Sequence, residues 1–162
     1  MWKLSENTKG KGLIANRFIS KGTILSKISF NNTSSLKTFQ TVQCGINKHF
    51  LDSFHSLLNH SCNPNLVIEV TKGETYAIRD IQIGDELGFF YPSTEWIMDK
   101  PFKCECGSKN CIRIVEGAYS LPYNVISSLF INKHIRNLYY KNFRNISNRK
   151  KYIEKSYLLN TV

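Results

Sequence analysis

The sequence predicts a mainly β fold that ends in α-helical segments. Three observations support this: short apolar runs broken by turn residues through the first half of the chain, a short polar segment rich in cysteine, and apolar residues at helical spacing after Pro122. The 162 residues suit a single folded unit. Hydrophobic and aromatic fractions of 41% and 12% exclude a chain that is disordered throughout.

The first strands are predicted from short apolar pairs punctuated by glycine. Residues 13–14 and 24–25 are apolar, and the Ser-Lys-Gly sequence at residues 20–22 favours a turn between them. Residues 31–37 are polar and predict a loop. We therefore expect two short strands joined by a turn and followed by a loop.

Two hairpins are predicted next. One spans residues 38–50 around a Cys-Gly-Ile-Asn turn, and the other pairs residues 66–70 with residues 76–81 across a Thr-Lys-Gly-Glu turn. Residues 87–91 predict a further short strand. Pro92 ends it, because proline has no N–H to donate to a strand ladder.

The C-terminal segment changes to helical spacing and becomes strongly basic. One apolar face consists of Ile126, Leu129, Phe130, Ile135, Leu138 and Tyr139, and a second helical stretch is predicted over residues 149–159. From residue 125 to 162, eight Lys or Arg residues stand against one acid, a net of +7 within a total formal charge of +10. Such a segment suits an acidic partner, either nucleic acid or an acidic peptide, but also suits a solvated helix face.

The chain carries no recognisable secretory signal after Met1, and its apolar stretches are too short to cross a bilayer. We expect a cytoplasmic protein, or a nuclear one in a eukaryotic cell, with no membrane partner. Five cysteines, an odd number, argue against a full set of disulfides in such a compartment. Metal binding is the better interpretation of those cysteines that lie close together in the sequence.

The cysteine cluster has metal-ligand spacing. Cys104 and Cys106 form a CxC pair, and Cys111 follows in a polar loop that has no core of its own to order it. A structural zinc site takes four ligands in a tetrahedron, so one more ligand must come from elsewhere. Cys62, in a tight polar turn, and Cys44, in a predicted strand, are both candidates.

Four motifs together resemble the SET-domain lysine methyltransferases. Residues 59–65 (NHSCNPN) resemble the NHSCxPN signature, and residues 84–91 (GDELGFFY) resemble the GEELxFDY segment. Residues 102–111 (FKCECGSKNC) resemble the post-SET zinc knuckle, and residues 9–13 (KGKGL) resemble the first family motif. The motifs occur in family order and cover most of the chain.

The resemblance implies a SET fold of small β-sheets around a knot-like core. It divides the chain into a SET domain over residues 1–100, a post-SET zinc knuckle over residues 101–122 and a basic helical segment over residues 123–162. The zinc ligands would be Cys62, Cys104, Cys106 and Cys111, which selects Cys62 over Cys44.

The resemblance also implies S-adenosylmethionine as the methyl donor. The residues that would contact this cofactor are Lys9, Gly10, Lys11, Gly12, Leu13, Asn59, His60 and Phe102. Glycines at the first motif would let the backbone approach the cofactor, because glycine has no Cβ. The usual acceptor in the family is the ε-amine of a lysine in a protein or peptide.

Tyr91 would be the catalytic residue, and Phe89 the position that governs product state, where phenylalanine favours more than one methyl addition. Phe89, Phe90 and Tyr119 are predicted walls of the substrate channel. The chemistry is consistent with such a channel. Deprotonating a free lysine at pH 7 costs about 4.6 kcal/mol, so a narrow apolar channel that disfavours the ammonium form helps the reaction.

The chain departs from the family pattern at three positions: Phe90 replaces the usual aspartate, Ile112 replaces a glycine after the third knuckle cysteine, and Ser56 replaces an arginine. These departures leave open whether the acceptor is an ordinary protein lysine or another amine, such as a small metabolite. Two further alternatives depend on the basic C-terminal segment: an inactive SET-like binding module that recruits partners through it, and a zinc-stabilised nucleic-acid binder.

Overall fold

A computed structural model describes residues 1–7 and 10–143. Within this part the chain forms short strands, three single-turn 3-10 helices and two α-helices near its end. The strands are β1 (Trp2–Asn7), β2 (Gly10–Ala15), β3 (Ile24–Lys27), β4 (Val42–Gly45), β5 (Lys48–Phe50), β6 (Asn59–His60), β7 (Leu66–Glu69), β8 (Glu74–Ala77), β9 (Gly88–Phe89), β10 (Phe102–Lys103) and β11 (Ile114–Val115). The mainly β fold with a helical C-terminal part is as predicted.

The first hairpin differs from the prediction. β2 contains the predicted strand at residues 13–14, but it pairs antiparallel with β1, which the sequence did not predict. β1 has the sequence WKLSEN, and its two large apolar residues, Trp2 and Leu4, are 37% and 53% exposed. Cross-strand pairing with β2, rather than burial of an apolar face, holds this strand in place.

The other predicted strands form, but two differ in their bounds: the one predicted over residues 76–81 lies at residues 74–77, and the one predicted over residues 87–91 covers only residues 88–89, since residues 91–93 form a 3-10 turn. β4 pairs with β5, and the chain turns between them at Asn47, which has a φ of 52°. β7 pairs with β8 across a turn containing Gly73, and β3 joins the other side of β8 to complete a three-stranded sheet. Leu66 and Ile68 of β7 are fully buried in the main core, which explains the clear apolar signal of this strand.

A parallel pairing joins β6 to β9, two segments that are distant in sequence. Asn65 fastens them, because its Nδ2 donates to the carbonyl oxygen of Glu86 at 2.8 Å and its Oδ1 accepts from the Gly88 N–H at 2.9 Å. A Cβ on Gly88 would lie 3.1 Å from the Asn59 carbonyl oxygen, so the close approach favours glycine. This pairing brings the NHSCNPN and GDELGFFY motifs side by side.

The predicted continuous helical face is divided between two helices. α1 (Tyr123–Ser128) is followed by residues 129–132, which are not helical, and then by α2, which covers residues 133–143 of the described part. Asn132 explains the break, since its buried side chain reaches away from the helices. Its Oδ1 accepts from the Val70 N–H at 2.9 Å, and its Nδ2 donates to the carbonyl oxygens of Ile68 and Ser93.

The helices pack on a second core that is separate from the main one. Its buried members are Phe90, Ala118, Leu121, Ile126, Ile131, Ile135 and Tyr139. The main core consists of residues from the strands and from the segments that join them, with Leu13, Leu66, Ile68, Ile81 and Leu87 fully enclosed. Phe90 directly follows β9 and so connects the strand region to the helices.

We expect Asn132→Ala to lower the free energy of unfolding by about 3 kcal/mol, because it removes three side-chain hydrogen bonds, two of them buried, and leaves the Ser93 carbonyl with only the Asn132 backbone N–H as a donor. Urea denaturation followed by circular dichroism measures this change. Asn137→Ala, at an exposed position of α2, is the matched control and should change stability by less than about 0.5 kcal/mol. Equal effects of the two substitutions would contradict the role assigned to Asn132.

No helix among residues 1–7 and 10–143 is long and apolar enough to span a membrane. The helical stretch predicted over residues 149–159 lies outside the described residues. So do five of the eight basic residues from which an acidic partner was predicted. The division of the chain at residues 100 and 122 remains a prediction.

Candidate active site and metal centre

A cavity of about 790 Å³ lies beside the paired strands β6 and β9. Its walls come from Phe39, Asn59, His60, Ser61, Glu86, Gly88, Tyr91, Met98 and the continuous stretch from Lys100 to Cys106. The volume is within the range of cavities that hold small-molecule cofactors. Three of the predicted cofactor-binding residues, Asn59, His60 and Phe102, line this cavity.

Asn59 connects the cavity to the first motif. Its Nδ2 donates to Glu86 Oε1 at 2.7 Å and to the Lys11 carbonyl oxygen at 3.2 Å. A Cβ on Gly12 would lie 2.5 Å from Asn59 Nδ2, so only glycine fits beside this side chain. Lys11 and Gly12 are therefore neighbours of the cavity through Asn59.

The other residues of the first motif lie elsewhere. Leu13 is fully buried in the main core, and Gly10 begins β2 with a φ of 109°. Neither lines the large cavity. Lys9 lies outside the described residues. Contact between these three residues and a cofactor stays a prediction.

A second, narrow cavity of about 20 Å³ also has Tyr91 in its wall. Leu58, Phe89, Tyr91 and Glu95 line it, together with His55, Ser56, Met98, Asp99 and the stretch from Thr38 to Val42. Its volume holds a group about the size of one water molecule. Tyr91 lines both cavities, as do Phe39 and Met98.

The hydroxyl of Tyr91 is fixed as a hydrogen-bond donor. It donates to the Leu58 carbonyl oxygen at 2.8 Å. Burial raises the pKa of this hydroxyl well above its usual value, and the carboxylates of Glu86 and Glu95 raise it further. Tyr91 is therefore neutral at physiological pH, with its proton pointing at Leu58 and its oxygen lone pairs available to accept a hydrogen bond.

A buried side-chain network holds the turn that presents Leu58. His55 Nδ1 lies 2.7 Å from Asp52 Oδ2, and His55 Nε2 lies 2.7 Å from Thr75 Oγ1. Asp52 Oδ1 also accepts from the backbone N–H groups of Phe54 and His55, at the start of the 3-10 turn His55–Leu57. Thr75 is fully buried, and both ring nitrogens of His55, which also lines the narrow cavity, are occupied by Asp52 and Thr75, so this chain of hydrogen bonds supports the turn.

The predicted channel residues separate into two groups. Phe89 lines the narrow cavity, and its ring centroid lies 4.9 Å from that of Tyr91. Phe90 points the other way and packs in the second core, as alternation along an extended chain requires. Tyr119 is 48% exposed, packs against Trp96, and lines neither cavity.

Glu95 lies in the narrow cavity, and the sequence did not point to it. Its side chain is buried, and its Oε1 accepts from the Gln43 N–H at 2.7 Å. Burial raises the pKa of this carboxyl to about 7, although the Gln43 N–H, the Thr94 hydroxyl and Lys37 partly offset the effect. Nothing in the sequence around residue 95 indicates burial, because only the folded turn after Tyr91 brings this side chain inside.

The structure brings Cys62, rather than Cys44, beside the three knuckle cysteines. The four Sγ atoms lie within 4.8 Å of one another, and those of Cys62 and Cys104 are 3.8 Å apart. A tetrahedral zinc site with Zn–S bonds of about 2.3 Å places its sulfurs about 3.8 Å apart. The geometry therefore suits a zinc ion held by Cys62, Cys104, Cys106 and Cys111.

The protonation chemistry of the cluster also suits a cation. Burial raises the pKa of the Cys62 thiol above its usual value and that of Cys104 to about 11. For Cys106, burial is outweighed by N–H groups of Ser108 and Cys62 and by neighbouring thiols, which lower its pKa to about 6. Four thiolates at one point need a compensating positive charge, which Zn²⁺ supplies.

His60 joins the cysteine cluster to Tyr91. Its Nδ1 accepts from the backbone N–H of Tyr91 at 3.3 Å, so its proton lies on Nε2, which is 3.1 Å from Cys62 Sγ. The imidazole ring also packs against the rings of Tyr91 and Phe102, which contact each other. One side chain thus orients a metal ligand, a wall of the large cavity and the backbone of Tyr91.

We expect His60→Phe to weaken zinc binding by about 10- to 100-fold, the usual effect of removing a hydrogen bond to a metal ligand. Phenylalanine preserves the ring packing but cannot donate to Cys62. Competition with a chromophoric zinc chelator measures the affinity. His134→Phe is the control, since this histidine is bonded to the Thr94 carbonyl oxygen and contacts no cysteine of the cluster. Equal zinc affinities in the two variants would refute the assigned bond.

Comparison with known proteins places this arrangement in a family. A family model for the SET domain matches residues 10–92. The methyltransferase flvH of Aspergillus flavus is 39% identical over 120 residues, which cover 72% of this chain and 67% of that protein. The histone-lysine N-methyltransferase ASHR3 of Arabidopsis thaliana is 39% identical over 72 residues, which cover 41% of this chain but only 14% of that protein.

Solved structures show the same fold at lower identity. The methyltransferase domain of human histone-lysine N-methyltransferase SETMAR superposes with a TM-score of 0.53 at 22% identity, covering 72% of this chain and 58% of that one. KRYPTONITE in complex with DNA, an H3(1-15) peptide and SAH superposes with a TM-score of 0.54 at 18% identity, covering 70% of this chain and 29% of that one. This chain is thus much shorter than several of the proteins it resembles.

Proposed function

This chain belongs to the SET-domain family, and on that premise we propose that it transfers a methyl group from S-adenosylmethionine to the ε-amine of a lysine in a protein or peptide. The observation that carries the proposal is that Tyr91 lines two cavities of very different size. The larger one suits a nucleoside cofactor, and the narrow one suits the tip of an unbranched amine.

Asn59, His60 and Phe102 would hold the cofactor, since they line the larger cavity. When bound there, S-adenosylmethionine supplies an electrophilic methyl group that the lone pair of the acceptor nitrogen displaces from sulfur. The chain itself contributes position and exclusion of water, which account for most of the rate in such a displacement. Tyr91 accepts a hydrogen bond from the acceptor amine, because its own proton is committed to Leu58.

The replacement of the usual aspartate by Phe90 leaves the residues that line the narrow cavity unaltered. Phe90 is 3% exposed and packs with Ile126 and Ile135 in the second core. Phe90 does not line the narrow cavity. The replacement therefore affects the packing of the helices against the strand region rather than the cavity. The walls next to Tyr91 keep an aromatic side chain, Phe89, and the backbone carbonyl of Leu58.

A peptide acceptor is supported by the relatives named for histone-lysine methylation and by the peptide-bound neighbour structure. The test is incubation of the purified protein with methyl-labelled S-adenosylmethionine and three kinds of acceptor: core histones, a lysine-containing peptide array and a panel of free aliphatic amines. Label on histones or peptides supports the proposal. Label only on free amines would replace it with a small-amine methyltransferase, and cofactor binding without label on any amine would replace it with a binding module.

A further inference from the structure

The narrow cavity contains a carboxylate that the proposed mechanism does not yet use. Glu95 is 6% exposed, lines the cavity with Tyr91 and Phe89, and belongs to neither the cofactor cavity nor the cysteine cluster. A buried carboxylate is costly unless something compensates it. Its position at the proposed acceptor site points to the acceptor as the compensating group.

The two oxygens of Glu95 have different surroundings. Oε1 accepts from the Gln43 N–H at 2.7 Å and lies 3.4 Å from the Thr94 hydroxyl. Among the described residues, no donor hydrogen-bonds Oε2. The side chain is therefore anchored through one oxygen and keeps the other free for a ligand. An alkylammonium head, which carries hydrogen-bond donors and a positive charge, is the group that best fits a small cavity containing a free carboxylate oxygen.

Tyr91 cannot remove a proton from the acceptor. Its hydroxyl donates to Leu58, and the phenolate form is disfavoured by burial and by nearby carboxylates. The reaction nevertheless needs a neutral amine, because an ammonium has no lone pair. Three other titratable groups that could take the proton line the same cavity, Glu95, His55 and Asp99. Both ring nitrogens of His55 are hydrogen-bonded and Asp99 is exposed, so Glu95 is the buried carboxylate with a free oxygen there.

We propose, building on the proposed methyltransferase function, that Glu95 binds the ammonium group of the acceptor and takes up its proton before methyl transfer. One N–H bond of the ammonium breaks and an O–H bond forms on Oε2, which converts the ion pair into a neutral amine and a carboxylic acid. The acid later loses its proton to solvent. The substrate class this implies is a primary alkylamine that arrives as a cation.

The charges around Glu95 are consistent with this role. The titratable groups around it are Lys37, Cys44, His55, Tyr91, Asp99 and His134. Burial lowers the pKa of His134, so it is neutral at physiological pH, and Lys37 is the cation that interacts with Glu95. Because burial raises the pKa of Glu95 to about 7, the carboxylate forms as the pH rises through neutrality, and it is a better proton acceptor than an exposed glutamate.

The first test is binding of n-butylammonium chloride, a mimic of the lysine side chain, measured by calorimetry without cofactor. We expect Glu95→Gln to weaken this binding by at least about tenfold, as for loss of a charged hydrogen bond. Glu95→Asp should lose less, and Glu116→Gln, which removes a carboxylate outside both cavities, should bind like the wild type. Equal affinity of the wild type and Glu95→Gln would overturn the proposal.

The second test is the pH dependence of single-turnover methyl transfer to n-butylamine. Near pH 7.5, Glu95→Gln should be slower than the wild type by about 10²-fold, and the difference should shrink as the pH approaches the pKa of the amine near 10.4. A rate profile parallel to the wild type at every pH would overturn the proposal while leaving methyltransferase activity intact. Conversely, Glu95-dependent binding in a protein that methylates no amine would support the ammonium site and reject the proposed function.

Discussion

Tyr91→Phe should lower kcat for methyl transfer by about 10³-fold, while the affinity for S-adenosylmethionine changes by no more than about threefold. The substitution removes only the hydroxyl oxygen, which donates to Leu58 and offers its lone pairs to the acceptor amine. Without it, nothing at this position aims the nitrogen lone pair at the methyl group. The ring stays, so its contacts with His60 and Phe89 and the walls of the large cavity are preserved.

Single-turnover kinetics with labelled cofactor measure the chemical step, and calorimetry measures the cofactor affinity. Tyr123→Phe is the matched control, since Tyr123 is 55% exposed at the start of α1 and lines neither cavity. Both variants should fold, although loss of the donor to the buried Leu58 carbonyl should cost Tyr91→Phe about 1–3 kcal/mol of stability. A Tyr91→Phe variant with an unchanged rate constant would exclude Tyr91 from catalysis.

The elements that the sequence predicted well are those whose signals are local. A hairpin depends on a turn sequence and on alternation, so the pairing of β4 with β5 and of β7 with β8 follows from residues close to one another in the chain. β1 has no such signal, because its apolar residues are few and exposed. The helix break was missed for the opposite reason: the helical periodicity continues past Asn132, and only the tertiary bonds of its side chain interrupt it.

The residues of the site also differ in whether they carry a local signal. Residues within the four motifs, such as Asn59, Tyr91 and Phe102, were predicted as site residues because the motifs are contiguous in sequence. Phe90 was assigned to the channel, although alternation next to Phe89 already indicated the opposite face. Glu95 had no signal at all, since its burial results from the packing of the turn after Tyr91 against β4.

Removal of zinc should abolish cofactor binding and methyl transfer together. Cys104 and Cys106 are ligands of the candidate zinc site and also line the large cavity. Phe102 and Lys103, which directly precede Cys104, form β10. Among the residues that the structure describes, β10 pairs only with the two-residue strand β11. With so little apolar area to bury, this segment depends on the metal for its order, as small zinc modules do.

The main core should survive the loss of the metal. Its buried residues come from β2, β4, β5, β7, β8 and β9 and from the segments that join them, and none of the four cysteines belongs to it. We therefore expect a strong chelator to leave the β circular-dichroism signal near native, while the affinity for S-adenosylhomocysteine falls by at least about tenfold and methyl transfer becomes undetectable. Cys62→Ser should reproduce this result, because it removes the one ligand that attaches the knuckle to β6.

Cys44→Ser separates the metal from a general effect of losing a thiol. Cys44 lies in β4, with its Sγ 3.5 Å from the Lys48 carbonyl oxygen and outside the cluster. This variant should keep its zinc, measured by elemental analysis, and should keep full cofactor affinity. Restoring Zn²⁺ to the chelated wild type should recover both binding and activity, whereas Cys62→Ser should recover neither. If cofactor affinity persisted in a zinc-free protein, the metal would order the knuckle without shaping the large cavity. Zinc binding and cavity lining by Cys104 and Cys106 would then be independent of each other.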